Sequence, residues 1–200
     1  MRGVTMAGII WMAAGALVGC HSPASPSATF SRGGTTALEK QLIAAGFQWA
    51  ASVNSPDLQQ LAHDPTVRVT RVTPVLSLLG LPKNYYALSL VNSSGPCGTM
   101  AVDDAFNAMG VGFGSLTFPD EGEISSLLLS HNLRATGPVV WVFFGGDSIG
   151  TSSQVLPVAK IPITEGVLYI THRREVFIED PNGPFPILTD AGWFRVRRLD

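Results

Sequence analysis

The stretch of sequence that decides the fold is VRVTRVTPV, residues 67–75. Its side chains alternate, with Val67 and Val69 on one side of an extended chain and Arg68 and Thr70 on the other. A period of two, carried by β-branched residues, is typical of a β-strand. The segment therefore predicts a strand over residues 67–75.

Further strand patterns follow this one along the chain. A continuous apolar run at residues 139–144 is typical of a buried central strand. Shorter extended patterns are predicted at residues 85–91, 97–102, 155–163, 167–171, 176–178 and 193–196. Turn residues such as Asn182-Gly183-Pro184 separate several of them, and strands joined by short links favour antiparallel pairing.

Two helices are predicted before the first strand. Thr36 and Glu39 fit a capping box at the start of one, and Gly46 is predicted to end it in the left-handed conformation. Ser55-Pro56-Asp57 places a cap, a proline and an acid where a second helix begins. Both helices precede the strand-rich part of the chain.

Acidic residues mark two later helix starts. Asp103-Asp104 is predicted to cap a short helix at residues 105–109, and Asp120-Glu121-Gly122-Glu123 contains a second capping box. The same acids suit general acid–base catalysis or a hard cation, but the helix-start interpretation is favoured. Between the two clusters, glycines alternate with apolar residues at 110–114, which we interpret as a loop close to a ligand or another backbone.

These elements predict an α+β fold in which N-terminal helices precede a mostly antiparallel β-sheet, as a single domain over residues 35–200. The chain has 200 residues, a formal net charge of −2 and 14% charged residues. A mildly acidic chain lacks the basic face that nucleic acid requires, so no nucleic-acid partner is expected.

The N-terminus has the three parts of an export signal. Arg2 supplies a positive charge, residues 4–18 are uncharged and largely apolar, and Gly19 is a small residue before a cut. The apolar run is shorter than the roughly 20 residues that a transmembrane helix needs. Residues 1–19 are therefore predicted to be a cleavable signal peptide.

The end of this signal resembles the lipobox of bacterial lipoprotein precursors, through Leu17-Val18-Gly19-Cys20. The resemblance implies that Cys20 Sγ carries a diacylglyceryl group, that the chain is cut before Cys20, and that further acylation anchors it to a membrane. It also implies, from His21 after the cysteine, the periplasmic face of the outer membrane. Residues 20–34 are then a lipidated cysteine with a flexible Ser/Pro/Gly tether.

Lipidation of Cys20 leaves Cys97 without an intramolecular disulfide partner. Three interpretations of Cys97 stay open: a small buried apolar residue, an intermolecular or mixed disulfide, and a catalytic thiol. A histidine would have to activate such a thiol in space, and nothing in the sequence selects which one. No His-x-x-x-His or Cys-x-x-Cys spacing occurs, so neither a metal site nor a cofactor is predicted.

A second candidate nucleophile follows the apolar run at residues 139–144. Gly146-Asp147-Ser148 resembles the nucleophile block of GDSL-type esterases, which implies that Ser148 attacks an ester. The Gly-x-Asn-Asp block of that family is absent, and the downstream His172 lacks the aspartate that should precede it. A Gly-rich turn is therefore the favoured interpretation, with Asp147, Ser148 and His172 kept as candidates.

The sequence thus predicts an envelope lipoprotein that binds or scaffolds other envelope components through an exposed sheet edge or an apolar patch. A small lipid-anchored hydrolase using Cys97 or Ser148 is the alternative. Arginines near the C-terminus predict either ion pairs on solvated strands or a patch for headgroups, peptidoglycan or a protein partner. The expected partners are the membrane, through the lipid, and an envelope protein.

Overall fold

The computed structural model describes residues 36–79, 84–115, 117–144 and 156–200. Three helices lie in these ranges: α1 (Ala37–Ser52), α2 (Pro56–His63) and α3 (Glu121–Ser130). The strands are β1 (Arg68–Ser77), β2 (Asn84–Asn92), β3 (Gly95–Asp103), β4 (Ala108–Phe113), β5 (Val140–Phe143), β6 (Val158–Ile163), β7 (Gly166–Ile170), β8 (Val176–Glu179), β9 (Phe185–Thr189) and β10 (Gly192–Leu199). None of the described helices is both long and apolar enough to cross a bilayer.

The strands of the described ranges form one mixed sheet in the order β4-β3-β2-β1-β5-β6-β7-β8-β10-β9. The predicted arrangement, N-terminal helices followed by a mostly antiparallel sheet, is wrong. The molecule is dominated by a ten-stranded sheet with few helices, β1 and β5 pair in parallel, and α3 interrupts the strand series. Period-two patterns show which residues share a face of a strand, but they carry no information on partner or direction.

The parallel contact is short. Leu76 is paired with Val142 and Ser77 with Phe143, and the N–H of Leu78 donates to the carbonyl of Phe143 at 2.7 Å. These residues join a meander of β4, β3, β2 and β1 to a second one that starts at β5. The sheet is therefore continuous only through this junction.

Three apolar clusters pack on the sheet. The first lies under α1 and α2 and includes Leu42, Leu88 and Met100. The second packs α3 against the opposite face, and the third is formed by residues of β5 to β10 and by Phe144. Successive residues of β5 contribute to different clusters, since Trp141 belongs to the second and Val142 to the third.

The predicted end of the first helix at Gly46 is wrong. The capping box of Thr36 and Glu39 is confirmed, but α1 continues past Gly46 to Ser52. Gly46 is buried, and a Cβ built on it would lie 2.4 Å from Met100 Sδ. The glycine therefore permits close approach of the helix to β3, and it does not end the helix.

The helix predicted at residues 105–109 is also wrong, because the acid before it closes a turn. Asp103 Oδ1 accepts hydrogen bonds from the N–H groups of Ala105 at 3.0 Å and Asn107 at 2.7 Å, and Phe106 has a positive φ of 65°. The carboxylate thus stabilises a tight connection between β3 and β4. The glycine-alternating segment, interpreted above as a loop, is strand β4.

The contact between Gly46 and Met100 predicts that Gly46→Ala changes the free energy of unfolding in opposite directions in the wild-type and Met100→Val proteins. Gly46→Ala should lower the free energy of unfolding by about 1 kcal/mol, because overpacking outweighs the helix-propensity gain of roughly 1 kcal/mol. In a Met100→Val background, which removes the sulfur atom, the same substitution should raise it. Urea denaturation of the unacylated Cys20→Ala protein measures both effects, and stabilisation by Gly46→Ala alone would contradict this account.

Candidate functional site

The residues proposed from sequence do not come together in the described part of the chain. Cys20, Asp147 and Ser148 lie outside the described residues. Cys97 lies on β3, next to the cluster under α1, and His172 follows β7. Of these candidates, Cys97 and His172 lie in the described ranges.

Cys97 has no base among the described residues. It is half-buried, and no hydrogen bond joins its Sγ to a histidine in these ranges. Burial raises the pKa of the Cys97 thiol above its ordinary value, and the negative charge of the Asp64 carboxylate raises it further. This environment disfavours the thiolate that a nucleophilic cysteine requires.

His172 is buried at 6% exposure, and neither ring nitrogen has a hydrogen-bond partner among the described residues. Burial lowers its pKa, and the charges of Arg173 and Arg174 lower it further, against the opposing effect of Glu175. The imidazole is therefore held neutral. It makes no hydrogen bond to Cys97, which is the one candidate nucleophile among the described residues.

An ion pair joins the turn that follows His172 to α3. Arg174 has a positive φ of 62°. Its guanidinium donates to both carboxylate oxygens of Glu123 at 2.9 Å and to the carbonyl of Thr117 at 2.9 Å. Glu123 also completes the capping box with Asp120, as the sequence predicted. This acid cluster therefore caps a helix and anchors a hairpin.

Two further ion pairs involve arginines of β10. Arg197 pairs with Asp180 at 3.1 Å and Arg198 with Glu175 at 2.9 Å, in agreement with the interpretation as ion pairs on solvated strands. No group of three or more His, Cys, Asp or Glu side chains in the described ranges is placed to hold a metal ion.

The surface of the described residues includes two grooves. One, of about 440 Å³, is lined by residues of β8 and β10 and the segment after β8 and contains the exposed Trp193. The other, of about 400 Å³, lies where β1, β2 and β5 meet, with Asp104 on its lining. Cys97 and His172 line neither groove.

Strand β4 forms one edge of the described sheet. It is a better candidate for a functional surface than either groove. Residues 105–118 contain no charged side chain. Phe113 is 47% exposed and Phe106, in the preceding turn, is 38% exposed. An edge strand without charge or proline presents free backbone donors and acceptors, which most proteins protect.

Hydrogen bonds to β3 alternate along β4, and this alternation shows which backbone groups of β4 have no partner among the described strands. The N–H of Gly114 donates to the carbonyl of Cys97 at 3.1 Å, and Gly112 is paired with Thr99. Since backbone direction alternates along a strand, the N–H groups of Val111 and Phe113 point away from β3. These two residues carry the outward-facing backbone of the edge.

The opposite edge of the sheet is different. Strand β9 contains Pro186, which has no N–H to offer to another strand. Strand β4 is also supported from one side, because α1 packs against β3 and β4 and Val111 contacts the apolar cluster beneath it. The uncharged edge is therefore held in place by a helix.

No protein-family model, curated protein or solved structure matches this chain significantly. The β4 edge is therefore identified as the candidate surface from its geometry. The alternating glycines pointed to a close backbone approach, and that approach exists: a Cβ on Gly98 would lie 2.8 Å from the carbonyl oxygen of Gly112. Sequence reasoning missed that the segment is a strand, because it assigned Asp103 to a helix cap.

The buried His172 predicts a loss of stability in acid. Its pKa is lowered in the folded state, so below about pH 6.5 the unfolded chain binds a proton that the folded chain resists. The free energy of unfolding should fall as the pH drops below that value. His172→Leu should reduce this fall and, since two unpaired polar atoms are removed, should leave stability at pH 7.5 equal or up to about 1 kcal/mol higher.

Denaturant unfolding of the Cys20→Ala protein at pH 7.5 and 5.5 measures this effect. His63→Gln is the matched control, because His63 is exposed near the end of α2. An equal acid loss in the wild type and in His172→Leu would show that other groups cause it.

Proposed function

We propose that this protein is a lipid-anchored component of the bacterial cell envelope, and that its domain binds or scaffolds other envelope components without catalysing a reaction. The observation that carries the binding role is the uncharged, proline-free edge strand β4, with Phe113 exposed beside two outward-facing N–H groups. The anchor rests on the lipobox-like Leu17-Val18-Gly19-Cys20.

Strand addition is the chemistry that such an edge supports. An incoming extended segment gains backbone hydrogen bonds along the edge, and alternate side chains provide selectivity. Val111 and Phe113 supply both kinds of contact. Because α1 packs against β3 and β4, the edge itself loses little conformational entropy when a strand binds.

The anchor gives the proposed site a fixed location. Each buried methylene of an acyl chain contributes about 0.8 kcal/mol, and more than one chain is needed for durable attachment. A domain attached in this way meets partners in the periplasm or in the same membrane. We place it at the periplasmic face of the outer membrane, from His21 after the lipidated cysteine.

The hydrolase alternative receives no support from Cys97. Its thiol is held protonated, and it has no histidine partner among the described residues. Ser148 lies outside those residues. No observation therefore favours this second function over the first.

The anchor predicts the behaviour of a single substitution. In bacteria that express the full chain, Cys20→Ala should abolish labelling with radioactive palmitate and move the protein from the membrane fraction to the soluble fraction. Cys97→Ser is the matched control and should keep both properties, because only Cys20 is the acylated thiol. A Cys20→Ala protein that stays labelled and membrane-bound would disprove the anchor.

The edge predicts a complex in the envelope. After mild detergent extraction and native electrophoresis, the full-length acylated protein should migrate in a species larger than its monomer. Phe113→Pro removes one outward-facing N–H while leaving the bonds to β3, and it should abolish that species. Leu129→Ser, at a 76% exposed apolar residue on α3, should leave it unchanged. Loss in both variants, or in neither, would contradict a role for the edge.

A further inference from the structure

We infer that the contact between the β7–β8 turn, residues 171–175, and helix α3 opens when the buried imidazole of His172 takes up a proton. The opening is a change within the folded domain and does not involve the β4 edge. Three features of the turn point to it: the buried position of the imidazole, the charges around it, and the hydrogen bonds that hold the turn in place.

His172 is buried although it lies in a turn. It is 6% exposed and Thr171 is 0% exposed, whereas Arg173 is exposed. The turn is closed by the N–H of Thr171, which donates to the carbonyl of Glu175 at 3.0 Å, and by the N–H of Arg174, which donates to the carbonyl of Thr171 at 2.9 Å. The strand pairs of β7 and β8 lie outside this segment. The imidazole can therefore reach water through a movement that leaves those pairs intact.

The charges around the buried imidazole give a proton no stabilising partner. The turn itself carries the cations Arg173 and Arg174 and the anion Glu175. From other described elements, Arg198 of β10 binds the Glu175 carboxylate at 2.9 Å, and Glu123 of α3 binds Arg174 at 2.9 Å. Each of these two carboxylates is thus already paired with an arginine. A protonated imidazole would be a third cation beside two others, and a buried charge without a partner is costly.

One guanidinium links the backbone of His172 to α3. Arg174 Nη1 donates to the carbonyl of His172 at 2.6 Å and to the carbonyl of Thr117 at 2.9 Å. Its Nη2 donates to both carboxylate oxygens of Glu123 at 2.9 Å. A movement that brings the imidazole to water displaces the His172 carbonyl, and this withdraws the guanidinium from Thr117 and Glu123. The position of His172 and the attachment of the turn to α3 are therefore coupled through Arg174.

The contact with α3 is weak enough to open before the sheet does. The side chains of Arg174 and Glu123 are 32% and 41% exposed, and ion pairs with such access to water contribute little to stability. Arg174 also has a positive φ of 62°, which costs energy in a residue other than glycine and is relieved when the turn opens. By contrast, β7 and β8 contribute the buried side chains of Leu168, Ile170 and Ile178 to the core. Local opening is therefore expected in place of unfolding of the sheet.

The proton equilibrium fixes the size of the effect. In the open turn the imidazole is solvated, and its pKa has the ordinary value of about 6.5. In the closed turn burial lowers the pKa of His172, and the charges of Arg173 and Arg174 lower it further. Acid therefore favours the open form. For one proton, and a closed form that stays unprotonated, the equilibrium constant for opening rises about tenfold between pH 7.5 and 5.5.

The test is hydrogen exchange, followed by mass spectrometry, on the unacylated Cys20→Ala protein at pH 7.5 and 5.5. After correction for the intrinsic pH dependence of amide exchange, a peptide covering residues 171–176 should exchange about tenfold faster at pH 5.5. A peptide covering residues 85–91 of β2 should stay protected throughout. Loss of protection in both peptides with the same time course would show that the whole domain unfolds, and would overturn the local opening.

Substitutions at His172 assign the effect to one residue. His172→Gln is neutral at every pH and should abolish the tenfold change. His172→Leu serves the same purpose where the glutamine variant fails to fold. His63→Gln, at an exposed histidine near the end of α2, is the matched control and should keep the change. An acceleration of the same size in the parent protein and in the His172 variant would overturn the inference.

Glu123→Gln tests the contact with α3. Glutamine at this position keeps the capping box with Asp120 but removes the charge that holds Arg174. Residues 171–176 should then exchange faster at both pH values, while the ratio between the two values is kept because His172 is unchanged. Glu121→Gln, at an exposed acid in the first turn of α3, is the matched control and should exchange as the parent does. Unchanged exchange in Glu123→Gln would show that this ion pair does not hold the turn, and would overturn the coupling.

Discussion

The parallel contact between β1 and β5 holds the molecule together. Only Leu76 with Val142 and Ser77 with Phe143 are paired across it. Side chains strengthen it on either side: Tyr85 packs edge-to-face on Phe143 with ring centroids 6.4 Å apart, and the guanidinium of Arg71 lies 5.2 Å from the ring centroid of Trp141. The described sheet would be two separate meanders without this junction.

Contacts outside the strand pairing also link distant parts of the molecule. The turn after β9 returns to the end of β1, where the N–H of Asp190 donates to the carbonyl of Leu78. On the opposite face of the sheet, Arg174 and Glu123 fasten the β7–β8 turn to α3. The far edge at β4 is supported by α1, which packs against β3 and β4.

This architecture separates the residues that carry reactive chemistry. Cys97 lies on β3 and His172 beyond β7, on opposite sides of the junction in the strand order. The acids of Asp103, Asp120 and Glu123 are engaged in turns, caps and an ion pair. Among the described strands, β4 lies at one end of the sheet and has a paired neighbour on one side only. The binding role proposed above rests on this edge.

The sequence by itself determined the local structure. The alternation at residues 67–75, the capping boxes at Thr36 and Asp120 and several strand patterns all depend on neighbours a few residues away, and the structure contains them. Only the tertiary structure decided that β1 pairs with β5, that Gly46 continues a helix against Met100, and that Asp103 closes a turn before an open edge. Each of these depends on which distant segment lies alongside, and side-chain periodicity carries no information on that.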